Sequence, residues 1–341
     1  MRRWAWLAAL AASIALVPAA ACAAQSVRDF YARKTITLYI GSSVGGGYDL
    51  HGRLLGRHIG RHIPGNPTVV PINMDGAGSL RLINWLYTAA PKDGTVFAIV
   101  NRGAAFVPLL GDRRLAHYDP RRFHWIGSAN DEVGVCVAVA RTGIRSFAQL
   151  KQRELVVGNT GDGADGTFMT TLVRDLLGAK VRAIAGYPGG AEIYLAMERG
   201  EVDGMCGLAW STIKSTRPQW LQQRWVNVLI QLGLRKHPDL PDVPFVMDLA
   251  QSAEERAILR LILLRGAFGR PFVAPPATPA DRVAALRSAF AATMTDPAFL
   301  ADAARARAEV APVSADALHA LIAEAYAAPP ARVERARGLL N

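Results

Sequence analysis

The fold of this chain is indicated first by Thr35-Ile-Thr-Leu-Tyr-Ile-Gly-Ser-Ser-Val-Gly-Gly-Gly-Tyr-Asp49, an apolar strand that runs into a glycine loop and an amphipathic helix. The pattern recurs at Glu154-Leu-Val-Val-Gly-Asn-Thr-Gly-Asp-Gly-Ala-Asp-Gly166. Glycines allow sharp turns and a close approach to a ligand. The helix behind each loop offers unpaired N–H groups and the positive end of its dipole to an anion. The repeat therefore predicts two jaws that close on an anionic ligand.

The N-terminus has the features of a secretory signal. Arg2-Arg3 precedes the apolar run Trp4–Val17, which is too short to span a bilayer as a mature helix. Small residues follow, so we expect a signal peptide over 1–24 that is cleaved near Ala23/Ala24 and a periplasmic mature protein. Cys22 leaves a lipid anchor as a second possibility.

Composition and charge limit the class of protein further. The chain has 341 residues, of which 51% are hydrophobic, enough for two folded domains. The formal charge of +11 falls to +9 when the two arginines of the signal are removed. There is no long basic tract, zinc-finger spacing or aromatic–basic interleaving, so we expect no nucleic-acid partner. Cys136 and Cys206 remain, and a disulfide and two separate buried thiols fit the sequence equally well.

Strand and helix patterns alternate along the chain, which predicts an α/β protein with mainly parallel sheets. The predicted strands are Ile36–Ile40, Thr68–Ile72, Val96–Val100, Val133–Ala140, Leu155–Val157, Val181–Ala185, Val202–Leu208 and Trp225–Gln231. The predicted helices are Tyr48–Ile63, Leu80–Ala90, Ser146–Lys151, Phe168–Leu177, Ala191–Arg199, Asp281–Met294, Ala298–Ala308 and Ala315–Tyr326, and Trp210–Trp220 is predicted as helix or turn.

The order of these elements predicts two lobes. The chain leaves a first sheet near residue 130, builds a second, and is expected to return with Trp225–Gln231. Lobe 1 would then comprise 25–130 and 227–341, and lobe 2 would comprise 131–226. Ligands of open α/β sheets bind beyond the carboxyl ends of the strands. We therefore expect a ligand cleft between the lobes and a hinge that closes it.

Several short motifs follow one another in a characteristic order. They are Val44-Gly-Gly-Gly-Tyr-Asp49, Asn73-Met-Asp-Gly-Ala-Gly78, Pro91-Lys-Asp-Gly-Thr95, Tyr187-Pro-Gly-Gly-Ala-Glu192 and Gly200-Glu-Val-Asp203. In order and spacing they resemble the extracytoplasmic solute receptors of tripartite tricarboxylate transporters, the TctC or Bug family. Ser43 and Val44 depart from the prolines of that family's first motif, and no histidine opens the helix of the second glycine loop.

The resemblance implies a type 2 periplasmic-binding-protein fold and a function in transport rather than catalysis. The ligand would be a small carboxylate, and the partners would be the large and small subunits of a membrane permease. No cofactor or metal is implied, and we expect a monomer.

We expect the ligand to contact the glycine loops and the polar residues that follow the strands. The candidates in lobe 1 are Ser42, Ser43, Gly45, Gly46, Gly47, Tyr48, Asp49, Asn73, Gly76, Ala77, Gly78 and Arg102. Those in lobe 2 are Thr160, Gly161, Gly163, Ala164, Asp165, Tyr187, Gly189, Gly190 and Glu192. Arg102 suits bidentate pairing with a carboxylate, although a surface arginine fits the sequence equally well. Tyr187 and Trp210 would wall the cleft, and core packing is the alternative for Trp210.

Other motifs allow different functions. Gly41-Ser-Ser-Val-Gly45 satisfies the G-x-S-x-G elbow of serine hydrolases, with Ser43 as nucleophile, but too few strands precede it. Gly161-Asp-Gly-Ala-Asp-Gly166 satisfies G-x-G-x-x-G, yet no acidic residue ends the next strand, and its two aspartates would repel a pyrophosphate. His58 and His62 have metal-ligand spacing without the glutamate of a zinc motif. A solute receptor is favoured, and an exported sensor that feeds a signalling protein remains open.

Overall fold

A computed structural model of the chain describes residues 26–340, so the predicted signal peptide 1–24 and Cys22 lie outside the described residues. The strands are β1 (Thr35–Ile40), β2 (Thr68–Asn73), β3 (Val96–Ile99), β4 (His124–Ser128), β5 (Gly134–Val139), β6 (Leu155–Gly158), β7 (Val181–Ile184), β8 (Gly204–Ala209), β9 (Val226–Leu232), β10 (Pro271–Ala274) and β11 (Val313–Ser314). The helices are α1 (Val27–Tyr31), α2 (Gly47–Ile59), α3 (Leu80–Thr88), α4 (Val107–Leu110), α5 (Phe147–Leu150), α6 (Asp165–Thr171), α7 (Gly190–Arg199), α8 (Trp210–Thr216), α9 (Pro218–Gln222), α10 (Ala253–Phe268), α11 (Ala280–Thr295), α12 (Pro297–Arg305), α13 (Ala315–Tyr326) and α14 (Pro330–Gly338).

Two sheets organise these elements. The first has the strand order β11-β4-β10-β3-β1-β2, and the second has the order β7-β6-β8-β5-β9. In each sheet the strand that precedes the glycine loop is the middle one of three parallel strands: β1 lies between β2 and β3, and β6 lies between β7 and β8. These units bring the carboxyl ends of six strands to the space between the sheets.

The predicted fold class is confirmed, with one refinement. Both sheets are flanked by helices, but each is mixed rather than mainly parallel. Antiparallel strands β10, β4 and β11 extend the first sheet, and β5 and β9 extend the second. None of the described helices combines the length and the hydropathy that a membrane span requires.

Helix α2 shows how the sequence builds the first jaw. Its apolar residues Leu54, Leu55 and Ile59 are buried against the sheet, beside the inward-facing residues of β1. At Gly52 a side chain would meet Ile40 at 2.8 Å, so glycine lets the helix lie close to the strand. The helix ends at Ile59 and a short 3-10 turn follows, earlier than the predicted end at Ile63.

The second crossing between the sheets lies later than the sequence suggested. Strand β9 pairs antiparallel with β5 in the second sheet, so the prediction that Trp225–Gln231 returns to the first sheet is wrong. The first sheet is next entered by β10. We therefore place the second crossing after Leu232, later than the limit of 226 that the apolar pattern predicts. Below, lobe 1 and lobe 2 denote the first and second sheets with their helices.

Cys136 and Cys206 are joined in a disulfide, which decides between the two possibilities that the sequence left open. They lie on the adjacent antiparallel strands β5 and β8, and both are fully buried. The bond closes a loop with a sequence separation of 70 residues and ties two strands at the centre of the second sheet.

We predict that the mature, denatured protein has no thiol that iodoacetamide can modify until a reductant is added. Replacing both cysteines with alanine should lower the free energy of unfolding by about 2–4 kcal/mol, because a long closed loop restricts the unfolded chain. Urea denaturation and intact-mass analysis after alkylation measure the two effects. Two modified thiols in the unreduced protein would contradict the disulfide.

Candidate functional site

A cavity lies between the lobes, and five loops that follow parallel strands meet around it. Each of β1, β2, β3, β6 and β7 contributes residues from the segment beyond its carboxyl end. The lining residues are Gly41, Ser42, Gly46, Gly47, Tyr48, Gly78, Asn101, Arg102, Asn159, Thr160, Ala164, Asp165, Gly166, Pro188, Gly189, Gly190, Tyr194, Met205, Gly207, Leu208, Ala209, Thr212 and Arg270. The convergence predicted from the loops is therefore present in the structure.

The first glycine loop is held in place by Asp49. Its carboxylate accepts hydrogen bonds from Gly45 N at 3.0 Å, Arg53 Nε at 2.9 Å and Asn73 Nδ2 at 2.9 Å. Asn73 Nδ2 also donates to Ser42 O at 2.8 Å. Asp49 and Asn73 thus fix the loop from behind, and neither lines the cavity.

Helix N-termini point to the cavity from both lobes, but each has a protein carboxylate close by. Helices α2, α6 and α7 carry Asp49, Asp165 and Glu192 in their first turns. At α8, Glu132 accepts hydrogen bonds from the Ser211 backbone N–H and hydroxyl. These carboxylates offset the helix dipoles, so positive charge at the site comes mainly from arginines.

The lobes contact each other directly in this closed arrangement. Arg102 Nη2 donates to Asp165 Oδ2 at 2.5 Å, and Asp165 N donates to Asn101 Oδ1 at 3.0 Å. Ser43 Oγ donates to Glu192 Oε2 at 2.7 Å, and Gly163 N donates to Ala77 O at 3.2 Å. The glycine loops of the two lobes therefore form a backbone-to-backbone contact beside the cavity.

Glycine is required where the lobes meet. A Cβ on Gly78 would overlap the Ala164 backbone, and one on Gly163 would lie 2.7 Å from Ala77 O. A Cβ on Gly103 would lie 2.7 Å from Asp165 N and 2.8 Å from Gly163 O. These glycines therefore allow the two lobes to come together, in addition to allowing the chain to turn.

Arg270 lines the cavity and was missed in the sequence, because it stands between α10 and β10 and matches no motif. Its side chain is buried, its Nη2 donates to Thr212 Oγ1 at 2.6 Å, and its guanidinium carbon lies 4.5 Å from the Tyr48 ring centroid. Thr212 lies in the first turn of α8, which follows β8 of the second sheet, so the contact joins the lobes. Asn101, Asn159 and Tyr194 were missed as well.

Burial and charge act on the arginines in opposite directions. Burial lowers the pKa of Arg102, but Asp165 and weaker interactions outweigh it, so the pKa lies above its usual value. Arg265 Nε lies 3.9 Å from Asp165 Oδ1. Burial outweighs the attraction of this carboxylate and lowers the pKa of Arg265 to about 9. Both groups still carry their positive charge at neutral pH.

The predicted site residues fall into two groups. Those that line the cavity are Ser42, Gly46, Gly47, Tyr48, Gly78, Arg102, Thr160, Ala164, Asp165, Gly189 and Gly190. Those that lie elsewhere are Ser43, Gly45, Asp49, Asn73, Gly76, Ala77, Gly161, Gly163, Tyr187 and Glu192. Trp210 is buried in the core of lobe 2, and its Nε1 donates to Asp239 at 2.9 Å. Of the two roles that the sequence allowed for Trp210, the structure therefore shows core packing.

The competing motifs have other partners. Ser43 donates to the Glu192 carboxylate rather than to a histidine. In the G-x-G-x-x-G segment, the space above Gly163 is filled by Leu80 and the Ala77 backbone, which leaves no room for a pyrophosphate. His58 and His62 contact Asp302 and Asp296 at 3.0 and 2.7 Å. Within residues 26–340, no three histidine, cysteine or acidic side chains are grouped to hold a metal ion.

Two sheets with a cleft at the carboxyl ends of their parallel strands are the fold of two-lobed periplasmic binding proteins, and solved structures with that fold resemble this chain. BugD, a periplasmic binding protein, is 22% identical over 91% of this chain and 98% of its own, with a TM-score of 0.71. MatC from Rhodopseudomonas palustris, solved with bound malate, is 18% identical over 90% and 99%, with a TM-score of 0.69. Rpa4515 of R. palustris, solved with adipate, is 20% identical over 90% and 97%, with a TM-score of 0.68.

The likeness is one of fold. Neither a protein-family model nor a curated protein matches this sequence. The solved structures agree with the fold that the motif resemblance implied, and their low identities leave the ligand contacts to be argued from this chain's own residues.

We predict that Asp49→Ala lowers the free energy of unfolding of the ligand-free protein by about 2 kcal/mol, because three donors lose a charged acceptor. Urea denaturation measures this, and Asp162→Ala on the exposed second loop serves as the control with little expected effect. An unchanged stability together with lost ligand binding would show that Asp49 contacts the ligand instead.

Proposed function

We propose that this protein is a periplasmic solute receptor that captures a small carboxylate between its lobes. The observation that carries the proposal is the cavity between the glycine loops, lined by the buried guanidinium groups of Arg102 and Arg270. Arginine suits carboxylate recognition because its planar fork matches the two oxygens. Related folds support the ligand class, since MatC was solved with malate and Rpa4515 with adipate.

The closed form has donors that a ligand would satisfy. Arg102 Nε and Nη1 and Arg270 Nε are buried and have no hydrogen-bond partner within residues 26–340. Buried charged donors without acceptors are costly. A bound carboxylate would supply acceptors in the closed form only, and such differential binding is what shifts a protein toward one of two conformations. The ligand therefore favours closure.

The geometry supports binding without a reaction. The cavity is lined by backbone, two arginines and uncharged side chains, apart from Asp165, whose carboxylate is paired with Arg102. Ser43, the candidate nucleophile, lies outside the lining and donates to a carboxylate. Its hydrogen-bond partner is the Glu192 carboxylate and not the histidine that a serine hydrolase uses as its base.

A receptor of this fold would pass its ligand on to a membrane transporter. The motif resemblance and the fold of the TctC solute-binding protein from Polaromonas, at a TM-score of 0.58, support a receptor of that kind. We infer that the mature protein is a monomeric periplasmic receptor whose closed form delivers the ligand to the two subunits of a tripartite-type membrane permease.

We predict that small carboxylates raise the melting temperature and that neutral sugars do not. A ligand present at 100 times its Kd adds about 2.7 kcal/mol to the free energy of unfolding, which is a measurable shift. Differential scanning fluorimetry against a panel of organic acids, sugars and amines tests this. Stabilisation by neutral or cationic compounds alone would contradict the carboxylate proposal.

We predict that Gly103→Ala weakens binding of a stabilising carboxylate at least tenfold without lowering the free energy of unfolding. Gly103 has φ −64° and ψ −35°, which alanine adopts freely, and the atoms nearest to the new methyl group are backbone atoms of lobe 2. Gly338→Ala, where a Cβ meets nothing within 4 Å, is the matched control. Calorimetry on both folded variants gives the comparison, and wild-type affinity in Gly103→Ala would show that closure is not needed for binding.

A further inference from the structure

Five charged side chains form a buried network around the cavity. The positive members are Arg102, Arg265 and Arg270, which are 2%, 1% and 2% exposed, and the negative members are Asp165 and Glu132, which are 4% and 5% exposed. Asp165 lies between Arg102 at 2.5 Å and Arg265 at 3.9 Å. Glu132 lies 3.7 Å from Arg270. Three guanidinium groups thus face two carboxylates, and one positive charge has no counterpart within the network.

Neighbouring groups do not cancel this charge. Asp49 is paired with Arg53, so the two add nothing to the balance. Burial lowers the pKa of His51 to about 4 and raises the pKa of Tyr194 to about 12, so both are neutral at pH 7. Glu192 lies at the partly exposed rim, where water screens its charge.

Among the described residues, Arg270 is the cavity-lining arginine that makes no hydrogen bond to a carboxylate. Arg102 is engaged by Asp165 and by Gly207 O at 3.1 Å. Arg265 does not line the cavity; its guanidinium carbon lies 3.6 Å from the Phe168 ring centroid, and its Nε donates to Ile262 O. Arg270 lines the cavity with Nε unpartnered among the described residues.

Glu132, the nearest acid to Arg270, is held by other donors. Its carboxylate accepts hydrogen bonds from Ser211 Oγ and from Asn130 Nδ2 at 3.0 Å. At 3.7 Å it attracts Arg270 without a hydrogen bond. The contacts of Arg270 with Thr212 and with the Tyr48 ring set the plane of its guanidinium group and bring no negative charge to it.

We propose that the cavity selects a ligand with a single negative charge, a monocarboxylate, and that Arg270 binds its carboxylate. This inference rests on the proposed function and narrows its ligand class. A monoanion balances the buried network. A second carboxylate would bring an unpaired negative charge into the closed cavity beside Asp165, and an unpaired buried charge is strongly disfavoured. Tyr48, Tyr194, Met205 and Leu208 provide an apolar lining for the body of the ligand.

The first experiment compares ligands that share a chain length or a ring and differ in the number of carboxylates. Calorimetry on the wild-type protein uses butyrate, succinate and butyramide, then hexanoate, adipate and hexanamide, then benzoate, phthalate and benzamide. In the series that binds best, the monocarboxylate should bind at least tenfold tighter than the dicarboxylate and the amide. A dicarboxylate that binds as tightly as its monocarboxylate overturns this inference and leaves the proposed function standing. Binding of no acid in any series overturns the proposed function as well.

The second experiment changes the charge of the network. Arg270→Gln should weaken binding of the best monocarboxylate at least tenfold and reduce its advantage over the amide. Arg270→Lys, which keeps the charge but not the fork, should retain the preference for the monocarboxylate at lower affinity. Wild-type affinity in a folded Arg270→Gln protein, checked by circular dichroism, would overturn the role of Arg270.

A third variant tests the charge balance without altering the cavity lining. Glu132→Gln keeps an acceptor for Ser211 and removes one negative charge, so the net charge of the network rises by one. It should shift the ratio of dicarboxylate to monocarboxylate affinity at least threefold toward the dicarboxylate. An unchanged ratio in the folded variant would show that the buried charge does not set the ligand charge.

Discussion

The ion pair between Arg102 and Asp165 lies where the two lobes meet, and the closed arrangement depends on it. The two charges come from opposite sides of the cleft, lie 2.5 Å apart and are shielded from water. Each loses hydration when the lobes close, so the pair favours closure only if the surrounding donors and acceptors are also satisfied. The remaining guanidinium N–H groups make an anionic ligand the natural complement of the closed form.

Backbone geometry gives this ion pair its position. Each charged residue follows a parallel strand directly or after a glycine loop, so both reach the space beyond the carboxyl ends. Gly78, Gly103 and Gly163 allow the loops to approach until backbone atoms touch. Side chains there would hold the lobes apart. Electrostatics and sterics therefore act on one conformational coordinate, the distance between the lobes.

Much of the fold could be predicted from the sequence because its signals are local. Glycine runs after apolar strands located the loops that meet at the cavity, and the alternation of elements indicated two α/β lobes. Strand β9 was assigned to the wrong sheet, because an apolar strand does not reveal which distant strand it pairs with. The Cys136–Cys206 bond was left open for the same reason, since it depends on the register of β5 against β8.

The site was harder to predict than the fold. The helix N-termini were expected to attract the anion, but carboxylates such as Asp49 and Glu132 already lie beside them. Arg270 could not be found by motif, because its role arises from contacts with Thr212, 58 residues away in the sequence, and with Tyr48 in the first glycine loop. Charge balance among buried groups is a property of the folded molecule, and no local pattern encodes it.

Small-angle X-ray scattering, recorded with and without a saturating carboxylate, tests most directly the claim that an anion closes the two lobes. The radius of gyration should decrease when the carboxylate is added and should stay unchanged with the neutral amide of the same compound at the same concentration. An unchanged radius of gyration, with binding of the carboxylate confirmed independently by calorimetry, would contradict the account.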